Sequence, residues 1–129
     1  MDLDKVTYLL ALADTRNYSR AAEQCHISQP ALTRYIKNLE EELNVTLFDR
    51  SSFPIRLTYA GERYIDGLLK ILEMKEKLDK IEFILEHLRE PERLLEEEFV
   101  NWLQEEENKH VFEEVITNRM AFLEKEYGQ

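Results

Sequence analysis

Gln29, Thr33, Arg34 and Lys37 crowd into one short stretch of a 129-residue chain. An amide, a hydroxyl, a guanidinium and an ammonium at this spacing suit hydrogen-bonded recognition better than bond-making. Gln pairs bidentately with adenine and Arg with guanine, and each such pair discriminates by about 1–3 kcal/mol. Thr33 is small enough to let a base or phosphate come close. Glu40, Glu41 and Glu42 follow at once. Phosphates would repel that acidic end, so only the first two turns of such a helix could approach a duplex. Entry into a major groove by N-terminal helix residues is the helix-turn-helix geometry.

The stretch 28–43 has the pattern such a helix needs. Ser28 can cap it by accepting from an N–H of the first turn. Pro30 is tolerated there, where its missing N–H has no intrahelical partner to lose. Leu32, Ile36, Leu39 and Leu43 recur at three- and four-residue steps and line one side.

The preceding residues supply the rest of a helix-turn-helix. A first helix is expected over 3–14, with Asp2 and Asp4 at the positive end of its dipole and Leu3, Val6, Leu10 and Ala13 on one face. Asp14-Thr-Arg-Asn17 interrupts it. Ser19 is expected to cap a short second helix from Arg20 to Gln24, whose small Ala21 and Ala22 admit a close neighbour. Cys25-His26-Ile27 is then the tight connector.

After Leu43 the pattern changes. Val45-Thr-Leu-Phe48 and Ile55-Arg-Leu-Thr58 read as two short strands around Asp49-Arg-Ser-Ser-Phe-Pro54, and Pro54 pushes Phe53 towards extended geometry. Thr58 caps a long helix over about 59–89, ending before Pro91. Ile71, Leu78 and Leu85 repeat every seven residues, as do Met74, Ile81 and Leu88, with Ile65, Leu68, Leu72 and Ile84 widening the stripe. So broad a seam calls for a partner, most simply an antiparallel second copy. Beyond Pro91, Leu95, Phe99, Trp102 and Leu103 mark one amphipathic stretch. Phe112, Val115, Ile116, Met120 and Leu123 mark another, with Asn108 as the break. The expected fold is mainly α: a winged helix-turn-helix with a small β-hairpin wing (1–58), a long dimerisation helix (59–90) and an acidic C-terminal helical hairpin (91–129).

Charge divides along the chain. The formal net charge is −10. Residues 1–58 carry seven Lys and Arg against eight Asp and Glu, and residues 91–129 carry four against eleven. The acidity belongs to the second half, and the first can still present a locally positive face. One cysteine leaves no intrachain disulfide and no metal cluster, and Cys25 reads as a buried inert thiol. His26, His87 and His110 lack ligand spacing and are expected in turns or at the surface. The neighbouring glutamates of the tail point to different sides of their helices and read as solvated faces, and Trp102 as a core anchor. No nucleophile, base and stabiliser constellation supports an enzyme. No cofactor, metal or membrane span is expected. Acidic Asp2 and Asp4 do not fit a signal peptide, so a cytoplasmic protein is expected.

Five linked stretches carry a family resemblance. Tyr18-Ser-Arg-Ala-Ala22, Ile27-Ser-Gln-Pro-Ala-Leu-Thr-Arg34, Leu39-Glu-Glu-Glu-Leu43, Leu47-Phe-Asp-Arg50 and Arg56-Leu-Thr58 with Ala60-Gly61 resemble, in order and spacing, the N-terminal domain of LysR-type transcriptional regulators over residues 1–70. The resemblance implies a winged helix-turn-helix, a linker helix pairing two subunits, and sequence-selective binding to dyad-like sites in double-stranded DNA. It places Gln29, Pro30, Thr33 and Arg34 in the groove, Lys37 near the backbone, Arg50 and Arg56 beside phosphates from the wing, and Ser19 and Ser28 at helix starts facing DNA; read from the residues alone, Arg50 and Arg56 could equally pair with Asp49 or with the acidic end of the recognition helix. Ser51-Ser-Phe-Pro54 departs from the more basic or glycine-rich wings of the family, which implies weaker or more apolar wing contacts. About forty residues after the linker helix are too few for the family's two-lobed sensor, so no inducer site is carried over. The tail, through Phe99-Val-Asn-Trp-Leu103, Asn108, His110 and Phe112-Glu-Glu-Val115, is similar to the N-terminal segment of FecR-like anti-sigma proteins. A second reading follows, in which the winged helix is a scaffold and the acidic tail binds or sequesters a protein partner.

Overall fold

The computed structural model describes residues 5–128, so the expected roles of Asp2, Leu3 and Asp4 lie outside the described residues. The chain divides into two compact units, one ending at Ile71 and the other beginning at Leu72. The boundary falls inside a helix.

In the first unit, α1 spans Val6–Thr15, α2 Tyr18–Gln24 and α3 Gln29–Leu43. Val6, Leu9 and Leu12 are the buried residues of α1. Leu10 and Ala13, expected on the inner face, are half-buried. Asn17, not Ser19, caps α2: its side chain accepts from the Arg20 N–H at 3.1 Å. The helix therefore starts earlier than expected, because Asn caps as well as Ser. His26 takes the left-handed conformation (φ 56°). The Ile27 N–H bonds to the Ala22 carbonyl and the His26 N–H to that of Glu23, which closes α2 and aims the chain into α3. Ser28 caps α3 as expected, accepting from the Ala31 N–H at 3.2 Å.

Leu32 and Ile36 are fully buried, Leu39 is half-buried and Leu43 is exposed. Burying the first two stabilises the fold by about 1.5–3 kcal/mol each. Ala21, Ala22, Leu47, Phe48, Ile55 and Leu68 are buried in the same unit. Asn44 (φ 55°) ends α3 with the same left-handed device that closes α2, its N–H bonding to Glu41 and that of Val45 to Glu40. Cys25 is half-buried and its thiol faces the Thr7 carbonyl at 3.8 Å; burial pushes its pKa up, which suits an inert thiol.

The wing is smaller than the sequence suggested. β1 (Phe48–Asp49) pairs antiparallel with β2 (Arg56–Leu57), with Phe48 opposite Leu57 and Asp49 opposite Arg56. Val45 and Thr46 lead in without pairing, because the chain is still leaving the Asn44 turn. The Phe53–Pro54 peptide is cis.

Thr58 caps α4 (Tyr59–Arg89), its hydroxyl oxygen accepting from the Gly61 N–H at 3.0 Å and donating to the Thr46 carbonyl at 2.6 Å. Gly61 is buried where the first turn of α4 meets the wing, and a Cβ there would collide with the Leu47 carbonyl.

In the second unit, residues 72–89 of α4 are followed by a 3₁₀ turn (Pro91–Leu95), α5 (Glu97–Trp102) and α6 (Glu106–Tyr127). Its core is Ile84, Phe99 and Val111, flanked by Ile81, Phe83, Leu88, Leu94, Trp102, Leu103, Phe112 and Val115. Three expectations change here. His87 is buried rather than at the surface, stacked on Phe99 with ring centroids 4.5 Å apart, its Nδ1 2.8 Å from the Phe83 carbonyl. Leu95, expected inside, is 84% exposed on the 3₁₀ turn. Asn108 is no break: it is buried in the first turn of α6, where its Nδ2 donates to the Trp102 carbonyl at 3.0 Å. The bend lies just before, at residues 103–105, so the tail is two helices and a turn.

The expected seam of α4 splits. Ile81 and Leu88 pack against the tail around Ile84, whereas Ile71, Met74, Leu78 and Leu85 are 37, 73, 53 and 51% exposed. The tail supplies Phe99 and Val111 to one edge of the helix, so only part of the stripe is left uncovered. Gly61→Ala should destabilise the fold by roughly 1–3 kcal/mol, the usual cost of overpacking, because the contact is with backbone. Urea denaturation followed by circular dichroism measures it, and an unchanged midpoint would contradict the close approach.

Candidate nucleic-acid interface

Helix α3 gathers the candidate residues on one face. Gln29, Pro30, Thr33, Arg34 and Lys37 line a shallow groove of about 570 Å³ together with Asn38 and Glu41. Gln29, Pro30, Arg34 and Lys37 are exposed and Thr33 is half-buried. This face lies opposite Leu32 and Ile36, whose burial fixes the rotation of the helix. Asn38 and Glu41 share the groove although the sequence did not single them out for it; the i, i+4 steps from Arg34 and Lys37 place them there.

Ser19 and Ser28 stand at the starts of α2 and α3, both exposed. Ser28 is a cap. Ser19, the second residue of its helix, instead donates from its hydroxyl to Gln29 Oε1 at 3.0 Å. α2 thus touches the first side chain of the groove.

The wing-side arginines differ. Arg56 is exposed, opposite Asp49 in the hairpin. The Ser51 hydroxyl and N–H donate to Asp49 at 2.6 and 2.9 Å and hold its carboxyl below the ordinary range, with Arg56 adding to the effect. Arg50 is exposed as well, but its guanidinium is engaged by neighbours in the fold. Its Nη2 lies 3.1 Å from Glu40 Oε1, its Nε donates to the Tyr18 hydroxyl at 2.8 Å, and its guanidinium sits 5.4 Å from the Tyr18 ring centre. Burial pushes the Tyr18 pKa up against the opposing pull of Arg50, so the phenol stays neutral near pH 7. Burial opposes the Arg50 charge, yet Tyr18 and Glu40 outweigh it and raise its pKa. A guanidinium carries five N–H groups, so those not used here remain available for a phosphate.

Glu40 supports the site from inside the fold, where the sequence pattern groups it with the acidic end of the helix. It does not project with Glu41 and Glu42. Its side chain is only 11% exposed, and Oε2 accepts from the Leu47 and Phe48 N–H groups at 2.7 and 3.2 Å. The signal was present: Glu40 lies four residues after Ile36 and one after Leu39, at the edge of the inward stripe. One of three negative charges is thereby withdrawn from the end of α3 and spent on Arg50 and the wing. Among the described residues no cluster of His, Cys, Asp or Glu could hold a metal ion, and no helix is long and apolar enough to cross a membrane.

A short capped helix, a tight left-handed turn, a longer helix with a polar face and a two-stranded hairpin define a winged helix-turn-helix. Residues 3–62 match the bacterial regulatory helix-turn-helix proteins of the lysR family. The crystal structure of a BenM_DBD/benA site 1 DNA complex superposes with a TM-score of 0.60 at 32% identity, covering 63% of this chain and 94% of that one. Residues 3–62 thus form a helix-turn-helix domain of the LysR type. The probable cat1 operon transcriptional activator of Acinetobacter lwoffii is 42% identical over 78 residues, 60% of this chain and 26% of that protein. The DNA-binding transcriptional dual regulator OxyR of Escherichia coli (strain K12) is 42% identical over 72 residues, 56% of this chain and 24% of that protein. The matched stretch spans about a quarter of the length of these curated relatives. The family match stops at residue 62 and lends no support to the likeness of 91–129 to FecR-like segments.

Glu40→Ala should destabilise the first unit by roughly 1–3 kcal/mol, because buried N–H groups lose their acceptor. Glu40→Gln keeps an acceptor oxygen and should cost clearly less. Thermal or urea unfolding of the two variants gives the comparison; equal losses would mean that the charge on Arg50, not the N–H acceptor, is what matters.

Proposed function

We propose that the chain is a sequence-selective DNA-binding transcriptional regulator of the LysR type, acting in the cytoplasm as a homodimer without catalytic activity. The observation that carries this is the face of α3: Gln29, Pro30, Thr33, Arg34 and Lys37 line one open groove that runs from the start of the helix and meets an acidic side chain only at its far end, at Glu41. Gln29, Thr33 and Arg34 meet base edges, and Pro30 shapes the approach. Lys37 and Arg56 meet phosphates, as do the spare N–H groups of Arg50. Ser28 aims the helix start. The solved BenM_DBD complexes with DNA at catB and benA sites support the same use of the domain here.

Residues 1–58 then read DNA, 59–90 pair two copies, and 91–129 buttress the pairing helix from one side. The exposed Ile71, Met74, Leu78 and Leu85, spaced at heptad steps, support the pairing. A two-fold dimer would match a dyad-symmetric operator.

Selection of bound duplexes from a random pool at two salt concentrations should enrich dyad-related half-sites. Arg34→Ala should weaken binding to the selected site by about 10–100-fold and to random duplex by only a few-fold, as loss of a bidentate base contact requires. Equal losses on both would remove Arg34 as a base reader. Leu78→Glu should convert a sedimenting dimer to monomer, since a charge in an apolar seam is left unpaired on association; an unaltered dimer would exclude this seam.

A further inference from the structure

The hydrogen bond between α2 and α3 bears on what the first groove residue can read. Ser19 is exposed in the first turn of α2, and its hydroxyl donates to Gln29 Oε1 at 3.0 Å. Ser19 does not cap its own helix, since Asn17 accepts the Arg20 N–H. Its hydroxyl is therefore free to serve Gln29. A glutamine reads adenine bidentately only when its oxygen and its NH₂ meet the same base edge, the oxygen accepting from N6 and the nitrogen donating to N7. With the oxygen turned towards Ser19 and one of its two lone pairs taken there, the amide offers the groove chiefly its two N–H donors. Donors suit the keto oxygens of the major groove, guanine O6 with its neighbouring N7 or thymine O4, and meet only N7 on adenine.

We propose that Ser19 is a specificity-determining residue that acts through Gln29, turning it from an adenine reader into a donor that selects a keto base. The proposal rests on Gln29 facing a base edge, the reading given above. Ser19 is a positioning residue here and needs no base contact of its own.

The test is selection from a random duplex pool with the full chain, comparing the wild type with Gln29→Ala, Ser19→Ala and Ser19→Thr. Gln29→Ala identifies the position that Gln29 reads by erasing its preference. At that position the wild type should favour guanine or thymine. Ser19→Ala should shift the preference towards adenine by about fivefold, the scale of one exposed hydrogen bond. Ser19→Thr keeps the hydroxyl and should retain the wild-type preference. An adenine preference already present in the wild type overturns the proposal, as does a Ser19→Ala profile identical to wild type. If Gln29→Ala leaves every position unchanged, Gln29 is no base reader, and the underlying assignment fails together with the proposal. Ser19 is exposed, and Ala is a good helix former, so the variant should fold; a circular dichroism spectrum matching the wild type confirms it.

Discussion

One half-buried carboxylate, Glu40, sets the geometry of the first unit. It faces the N–H groups of Leu47 and Phe48 with one oxygen and Arg50 with the other. An ionised carboxylate taken from water without partners would be costly by several kcal/mol, so it stays only where donors converge on it. The left-handed turn at Asn44 makes that convergence possible, because it swings the chain back beneath the end of α3. Arg50 extends the tie to Tyr18 at the start of α2. α2, α3 and the wing are thus fastened at one charged point, while Leu32 and Ile36 fix the roll of α3.

Much of this was legible in the sequence, and its limits have physical causes. The three helices, the hairpin, the Ser28 and Thr58 caps and the long helix to Arg89 follow from capping chemistry and periodicity, which are local. The polar face of α3 follows because a helix with one apolar stripe must show its opposite side. What the sequence hid was tertiary. Asn17 and Ser19 are both competent caps two residues apart, and only the path of α1 into α2 decides between them. Glu40 and His87 look solvated by residue type, yet each sits three or four positions from a buried neighbour and is drawn inside once donors or rings are there to meet it. The wing strands were overcalled because β-branched residues at 45 and 46 mark extended chain without guaranteeing a partner.

The second unit is held by aromatic packing, not by its many charges. Lys77 with Glu114, Lys80 with Glu107 and Arg93 with Glu86 and Glu96 form ion pairs at 3.1–3.3 Å. Exposed pairs of this kind contribute about 0–1 kcal/mol each. Phe99 alone, buried among Phe83, His87, Trp102 and Phe112, outweighs them.

Gly61 removes the slack between the wing and the helix that follows it. With no side chain to act as a spacer, the first turn of α4 rests directly on the peptide before Phe48, and Thr58 stitches both to the Thr46 carbonyl. A hinge needs a gap or a loose linker, and this joint has neither. Any tilt of the hairpin is therefore handed on to the opening of the long helix, as a crank passes rotation to its shaft.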